Sequence, residues 1–131
     1  MAKILVVDDE EDLEMLFRQK YRQKIRSGEY EMFFALNGQL ALDTLKEHPD
    51  MDMILSDINM PVMNGWQFLD EYHKIIEQFK KPIYIYMVSS SVDDCDIQRS
   101  REYSGVTDYI VKPINKIKYQ ELIDRLNFYN G

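Results

Sequence analysis

Cysteine is almost missing from this 131-residue sequence: Cys95 stands alone, so no disulfide can form within the chain and a reducing compartment is expected. Basic charge is also short. Sixteen Lys and Arg face twenty-three Asp and Glu, a net charge of −7, and such a chain repels the phosphates of nucleic acid. No apolar run approaches the roughly 20 residues that span a bilayer. The start, one lysine and then Ile4 to Val7 followed at once by acids, is not a secretory signal. Repeats, low-complexity tracts and linkers are absent as well. What remains is 45% hydrophobic and 30% charged, the balance of a soluble globular protein with one buried core. The chain therefore reads as one cytoplasmic domain over residues 1–131, with no membrane segment and no nucleic-acid partner. It ends about one turn after its last helix, so no output domain is expected within it, and it either acts alone through protein contacts or was excised from a longer protein.

Five short β-prone runs are present: Ile4–Val7, Met32–Leu36, Met53–Leu55, Ile83–Val88 and Tyr109–Val111. They recur at intervals close to the roughly 30 residues of a strand–helix–strand unit. All but the second are nearly continuous apolar stretches, which predicts strands buried on both faces of a parallel sheet. Helical stripes lie between them. Leu13, Phe17, Tyr21 and Ile25 recur every fourth residue before Gly28, and Ala41, Leu42 and Leu45 follow Asn37-Gly38. Trp66, Leu69, Tyr72, Ile76 and Phe79 form the strongest stripe, closed by Lys80, Lys81 and Pro82. Tyr119, Leu122, Ile123 and Leu126 make the last, with Asn115 as its N-cap. Between Val92 and Ser104 apolar residues are few, which predicts the least stable helix. The alternation predicts an α/β fold, a doubly wound parallel sheet with helices on both faces.

Sheets of this kind bind ligands beyond the carboxyl ends of their strands. After the first run come Asp8, Asp9, Glu10, Glu11 and Asp12. Glu11 and Asp12 fit the acidic first turn of a helix, but Asp8 and Asp9 still belong to the strand end. Two like charges about 4 Å apart cost on the order of 4 kcal/mol at an effective dielectric of 20. A hard divalent cation relieves that cost, and carboxylates with water suit Mg²⁺. After the third run comes Asp57, followed by a loop shaped by Pro61 and Gly65; after the fourth, Ser89; after the fifth, Lys112-Pro113. Together the strand ends supply a metal site, a carboxylate nucleophile, a hydroxyl donor and a cation, the parts needed for phosphoryl transfer to aspartate.

These residues resemble the receiver domain of two-component response regulators. The matching motifs are Lys3-Ile4-Leu5-Val6-Val7-Asp8-Asp9, Asp57-x-x-Met60-Pro61-x-Met63-x-Gly65, Met87-Val88-Ser89 and Tyr109-Ile110-Val111-Lys112-Pro113. The resemblance implies a flavodoxin-like five-stranded sheet of order 2-1-3-4-5 flanked by five helices. It implies that Asp57 is the phosphoacceptor and that Asp9, Asp57 and the Asn59 carbonyl ligate Mg²⁺, with Asp8 holding a ligand water. Ser89 and Lys112 are then expected at the phosphoryl oxygens, Tyr109 as the aromatic switch residue, and a cis peptide before Pro113. It further implies a phosphorelay signalling switch rather than an enzyme in the ordinary sense, one that catalyses only its own aspartyl phosphorylation and dephosphorylation. Its upstream partner is then a sensor histidine kinase or histidine phosphotransfer protein. An unidentified downstream protein is expected on the face formed by Val92–Ser104, Tyr109–Lys112 and the last helix, with the chain monomeric or dimerising on phosphorylation.

Rival readings fare worse. A haloacid-dehalogenase-type phosphatase wants an acid two residues after its nucleophile, where this chain has Asn59. A flavodoxin would have to hold a flavin phosphate against Asp8 to Asp12. The remaining alternative is a pseudo-receiver that binds partners without phosphorylation, and the intact Asp8, Asp9, Asp57, Ser89 and Lys112 count against it.

Overall fold

The structure is a computed structural model that describes residues 2–58, 60, 62–75, 83–89, 94–103, 106–112, 121–122 and 124–125. Its elements run β1 (Ala2–Val7), α1 (Asp12–Lys20), α2 (Arg22–Arg26), β2 (Tyr30–Ala35), α3 (Gly38–Glu47), β3 (Met53–Asp57), α4 (Gly65–Ile75), β4 (Tyr84–Ser89), α5 (Asp94–Glu102) and β5 (Val106–Val111). Residues 121–122 and 124–125 are helical as well. All strand pairs are parallel, in the order β2-β1-β3-β4-β5. The flavodoxin-like order implied by the resemblance is therefore the order observed.

Strand alternation divides the core in two. Leu5, Val7, Ile54, Ile85 and Met87 face one side, where Ala41, Leu42 and Leu45 of α3 and Trp66, Phe68, Leu69 and Tyr72 of α4 cover them. Ile4, Val6, Met53, Leu55, Tyr86 and Val88 face the other, against Phe17, Tyr21 and Leu122. Every residue of β3 is buried, as expected for the central strand. Asn37 caps α3 through its Oδ1, which accepts from the Leu40 amide at 2.9 Å.

Three expectations need correction. The predicted first helix is two helices, broken at Tyr21 with φ −105° and ψ 22°. Side chains spaced four apart drift about 40° per step around a straight α-helix, so the stripe from Leu13 to Ile25 would swing roughly 120° off the sheet. The break re-aims α2, and Leu13 and Ile25 both pack on the same core. Second, β5 is an edge strand with Ile110 its only buried residue, not one buried on both faces. Third, β5 begins three residues before the predicted run, and it carries an irregularity there. Ile85 pairs with Val106 and Tyr86 with Asp108, leaving Thr107 extra, and its Oγ1 accepts the Ile85 amide at 3.1 Å. Asn59, Pro61, Ile76 to Pro82, Val92, Ser104, Pro113, Asn115, Tyr119, Ile123 and Leu126 lie outside the described residues, as do the expected cis peptide and the cap of the last helix.

Candidate active site at the carboxyl ends of the strands

The order of the strands decides which side chains meet. Val7 is in register with Ser56, so the next residues along, Asp8 and Asp57, leave adjacent strands side by side. The Asp8 amide donates to the Ala35 carbonyl at 3.0 Å, which carries the β1–β2 pairing one residue past the strand. Asp8 and Asp57 are each only 8% exposed, whereas Asp9 faces solvent. One carboxylate oxygen from each of Asp8, Asp9 and Asp57 lies within 4.8 Å of the other two. Lys112 reaches across from the end of β5, its Nζ 2.8 Å from Asp8 Oδ2 and 3.6 Å from Asp57 Oδ2.

Local hydrogen bonds fix the two buried acids. The Glu10 amide donates to Asp8 Oδ1 at 3.1 Å, and the Ile58 amide donates to Asp57 Oδ1 at 2.8 Å. Asp57 Oδ2 is thereby the oxygen turned toward Lys112. Burial pushes the Asp57 carboxyl above its ordinary range; Lys112 opposes this, Asp8 reinforces it, the Ile58 amide opposes it, and Asp9 adds a further push upward. For the Lys112 ammonium burial alone would act downward, but the hydrogen bond to Asp8 and the charges of Asp8, Asp57 and Glu10 outweigh it and raise it. The negative charge in the pocket exceeds what one ammonium balances. Oxygen ligands converging with excess negative charge fit a hard divalent cation such as Mg²⁺.

Ser89 is fully buried at the end of β4, and its carbonyl accepts the Lys112 amide at 2.8 Å. On β5, Tyr109 pairs with Met87 of β4 and is half-buried against the core side that α3 and α4 cover. The fold thus gathers Asp8, Asp9, Asp57 and Lys112 into one pocket and sets Ser89 and Tyr109 on the strands that border it. Asn59, expected to offer a carbonyl ligand, lies outside the described residues.

Sequence reasoning missed two contributors. One is the Ile58 amide, invisible because any residue type supplies it. The other is Gly65, whose amide donates to the Ile58 carbonyl at 2.8 Å. A Cβ there would sit 2.5 Å from the Asp57 carbonyl oxygen and 2.9 Å from Ile58 Cα, so α4 starts hard against the backbone of the acid itself. The glycine was visible as a loop former, but not this contact.

Comparison with known proteins extends the site to a family. The family model "Response regulator receiver domain" matches residues 4–126. Vibrio cholerae chemotaxis protein CheY4 is 30% identical, with a TM-score of 0.74 over 96% of this chain and 98% of that one. Thermotoga maritima response regulator TrrA, solved in complex with Mg²⁺ and BeF, is 28% identical, with a TM-score of 0.70 over 96% and 99%. A response regulatory protein of Staphylococcus epidermidis is 28% identical over 129 residues, covering 96% of this chain and 47% of that one. The Staphylococcus aureus transcriptional regulatory protein HptR is 26% identical over 129 residues, covering 96% and 46%. The chain spans about half the length of these curated relatives. With the strand order, the carboxylate pocket and the family match in agreement, this chain belongs to the response regulator receiver domain family.

Proposed function

We propose that the chain is a phosphorylation-dependent signalling switch that takes a phosphoryl group from phosphohistidine of a sensor kinase or phosphotransfer protein onto Asp57. The observation that carries this reading is the convergence of three carboxylates on one another with the Lys112 ammonium across two of them. With Oδ1 committed to the Ile58 amide, Oδ2 of Asp57 is the nucleophile. Its new P–O bond forms as the P–N bond of phosphohistidine breaks, and the imidazole nitrogen keeps the electron pair. Asp9, Asp57 and the Asn59 carbonyl would hold Mg²⁺, with Asp8 holding a ligand water, and the ion would supply neutralisation of the carboxylates and of the phosphoryl oxygens. Lys112 leaves Asp8 for a phosphoryl oxygen and the Ser89 hydroxyl donates to another. Water then attacks the same phosphoryl group, the P–O bond to Asp57 breaks to return the carboxylate, and inorganic phosphate leaves to end the signal. Drawing Ser89 inward opens space that the Tyr109 ring fills, and the altered face of α5, β5 and the last helix meets the downstream partner.

Incubation with acetyl phosphate, read by intact mass, tests the reading. Wild type is expected to gain one phosphoryl group in Mg²⁺ and none in EDTA, and Asp57→Asn to gain none in either. Labelling of Asp57→Asn at the wild-type rate would refute it.

A further inference from the structure

Trp66, Asp70 and His73 follow one another at spacings of four and three, so they stand in one stripe along α4. The Tyr103 ring at the end of α5 lies against that stripe. Its centre is 5.6 Å from Trp66, on which it stacks, and 5.7 Å from the His73 imidazole, while its hydroxyl donates to Asp70 Oδ1 at 2.8 Å. The histidine is the unfinished part of this seat. Its Nδ1 lies 2.7 Å from the Leu69 carbonyl, which can only accept. Nδ1 therefore carries the proton, and Nε2 of the neutral ring is a bare lone pair. That Nε2 is buried and meets no hydrogen-bond partner among the described residues. A buried acceptor left without a donor forfeits its hydration for nothing, and such an orphan calls for an explanation.

The seat contains a donor for it, the Tyr103 hydroxyl. Burial pushes the phenol up, the bond to Asp70 adds to this and Arg99 opposes it, so the hydroxyl keeps its proton and donates at neutral pH. Two acceptors on α4 thus face one donor on α5, and only one of them can hold it. We propose that the Tyr103 hydroxyl steps from Asp70 to His73 Nε2 when the switch is thrown, giving the carboxyl end of α5 two alternative seats on α4. Asp70 is exposed and Nε2 is buried, so the step carries the hydroxyl inward while the ring keeps its stack on Trp66. The charged acceptor makes the stronger bond and holds the resting seat; movement of the other end of α5 with Ser89 supplies the bias toward His73. Both sides of the seat are wired into the fold. Trp66 follows Gly65, which abuts the Asp57 backbone, and the Tyr103 carbonyl accepts the Val106 amide at 3.3 Å where β5 begins. A step at Tyr103 is thereby passed to β5, as a two-position contact rather than a gradual one. Its coupling to phosphorylation rests on Asp57 being the phosphoacceptor, whereas the existence of the two seats does not.

Proton–nitrogen correlation spectra of the imidazoles test the exchange. His48 and His73 are the only histidines in the chain, so His73→Phe assigns the spectrum. In wild type with Mg²⁺ alone, the His73 Nε2 resonance is expected at the position of a free pyridine-type nitrogen. Adding beryllofluoride is expected to move it toward that of a hydrogen-bonded one. Tyr103→Phe, which keeps the ring and lacks the hydroxyl, is expected to lose that movement. Asp70→Ala is expected to show the moved resonance without beryllofluoride, and to bind beryllofluoride about fivefold more tightly, because the resting bond no longer opposes the step. A resonance that stays put in beryllofluoride-bound wild type, moves equally in Tyr103→Phe, or is hydrogen-bonded from the start overturns the exchange. An unmoved resonance in Asp70→Ala overturns it whatever beryllofluoride does. Wild type that binds no beryllofluoride, beside an Asp70→Ala variant with the moved resonance, supports the two seats and refutes the phosphoacceptor reading of Asp57 instead.

Discussion

The two glycines at opposite ends of the molecule show how differently one residue type acts. Gly28 sits at φ 80° with nothing within 4 Å of an added Cβ, whereas an added Cβ at Gly65 meets the backbone of Asp57 and Ile58. Gly28→Ala should cost roughly 1–2 kcal/mol of stability and leave the rate of acetyl phosphate labelling alone. Gly65→Ala should cost about 1–3 kcal/mol by overpacking and also slow labelling, because the backbone that must yield is that of Asp57, the proposed nucleophile. Denaturant unfolding and labelling rates separate the two effects; equal labelling rates in both variants would show that Gly65 only closes a turn. Asp57 carries a pH dependence of its own. Its carboxyl, raised first by burial, binds a proton more tightly in the folded chain than in the unfolded one. Its contribution to stability therefore falls as pH climbs from the ordinary carboxylate range through the raised value. In EDTA, Asp57→Asn should melt higher than wild type at pH 7, with the gap narrowing as pH drops toward about 4. A gap that widens toward acid would have the sign wrong.

Elements differ in how they are held, and α5 is the outlier. Ser100 is its only described buried residue, and the sequence had marked this stretch as poor in apolar anchors. It is tied to α4 near its carboxyl end instead. The Tyr103 ring stacks on Trp66 at 5.6 Å, the Tyr103 hydroxyl donates to Asp70 at 2.8 Å, and the Arg99 guanidinium lies 4.9 Å from the Trp66 ring centre. A helix tethered near one end pivots about it, and the other end follows Ser89 in sequence. Beryllofluoride with Mg²⁺ should therefore change amide exchange more at residues 95–98 than at 100–103, and Trp66→Ala should flatten that gradient. Uniform change along the helix would argue for rigid-body movement. The sequence foretold weak packing here but not the tether, since its partners are 33 residues apart for the hydrogen bond and longer for the stack. The broken first helix was hidden for a related reason: a four-residue stripe matches one helix or two, and only the direction of the sheet decides between them.

Taken whole, the chain concentrates charge where its strands end. Mg²⁺ in hundredfold excess over its dissociation constant should add about 2.7 kcal/mol of stability. Asp9→Asn should melt higher than wild type in EDTA yet gain less from the metal. A melting curve indifferent to Mg²⁺ would remove the metal from the account. The parallel sheet and most of the pocket were legible because both rest on local signals: apolar runs of strand length and the polar residues that end them. The placement of β5 was less so, since a run of three apolar residues reads alike in a central strand and at an edge, where Ile110 alone is buried. That edge has an unforced corollary. Past the irregularity, Tyr86 through Ser89 pair with Asp108 through Val111 in unbroken register. Thr107 takes no pairing in the ladder, although its Oγ1 accepts the Ile85 amide, so deleting it would remove that bond yet leave Tyr109 and Lys112 in their present pairings. Insertions and deletions of one residue, ruinous in β1 or β3 where they would turn buried side chains outward, have a tolerated address in this strand.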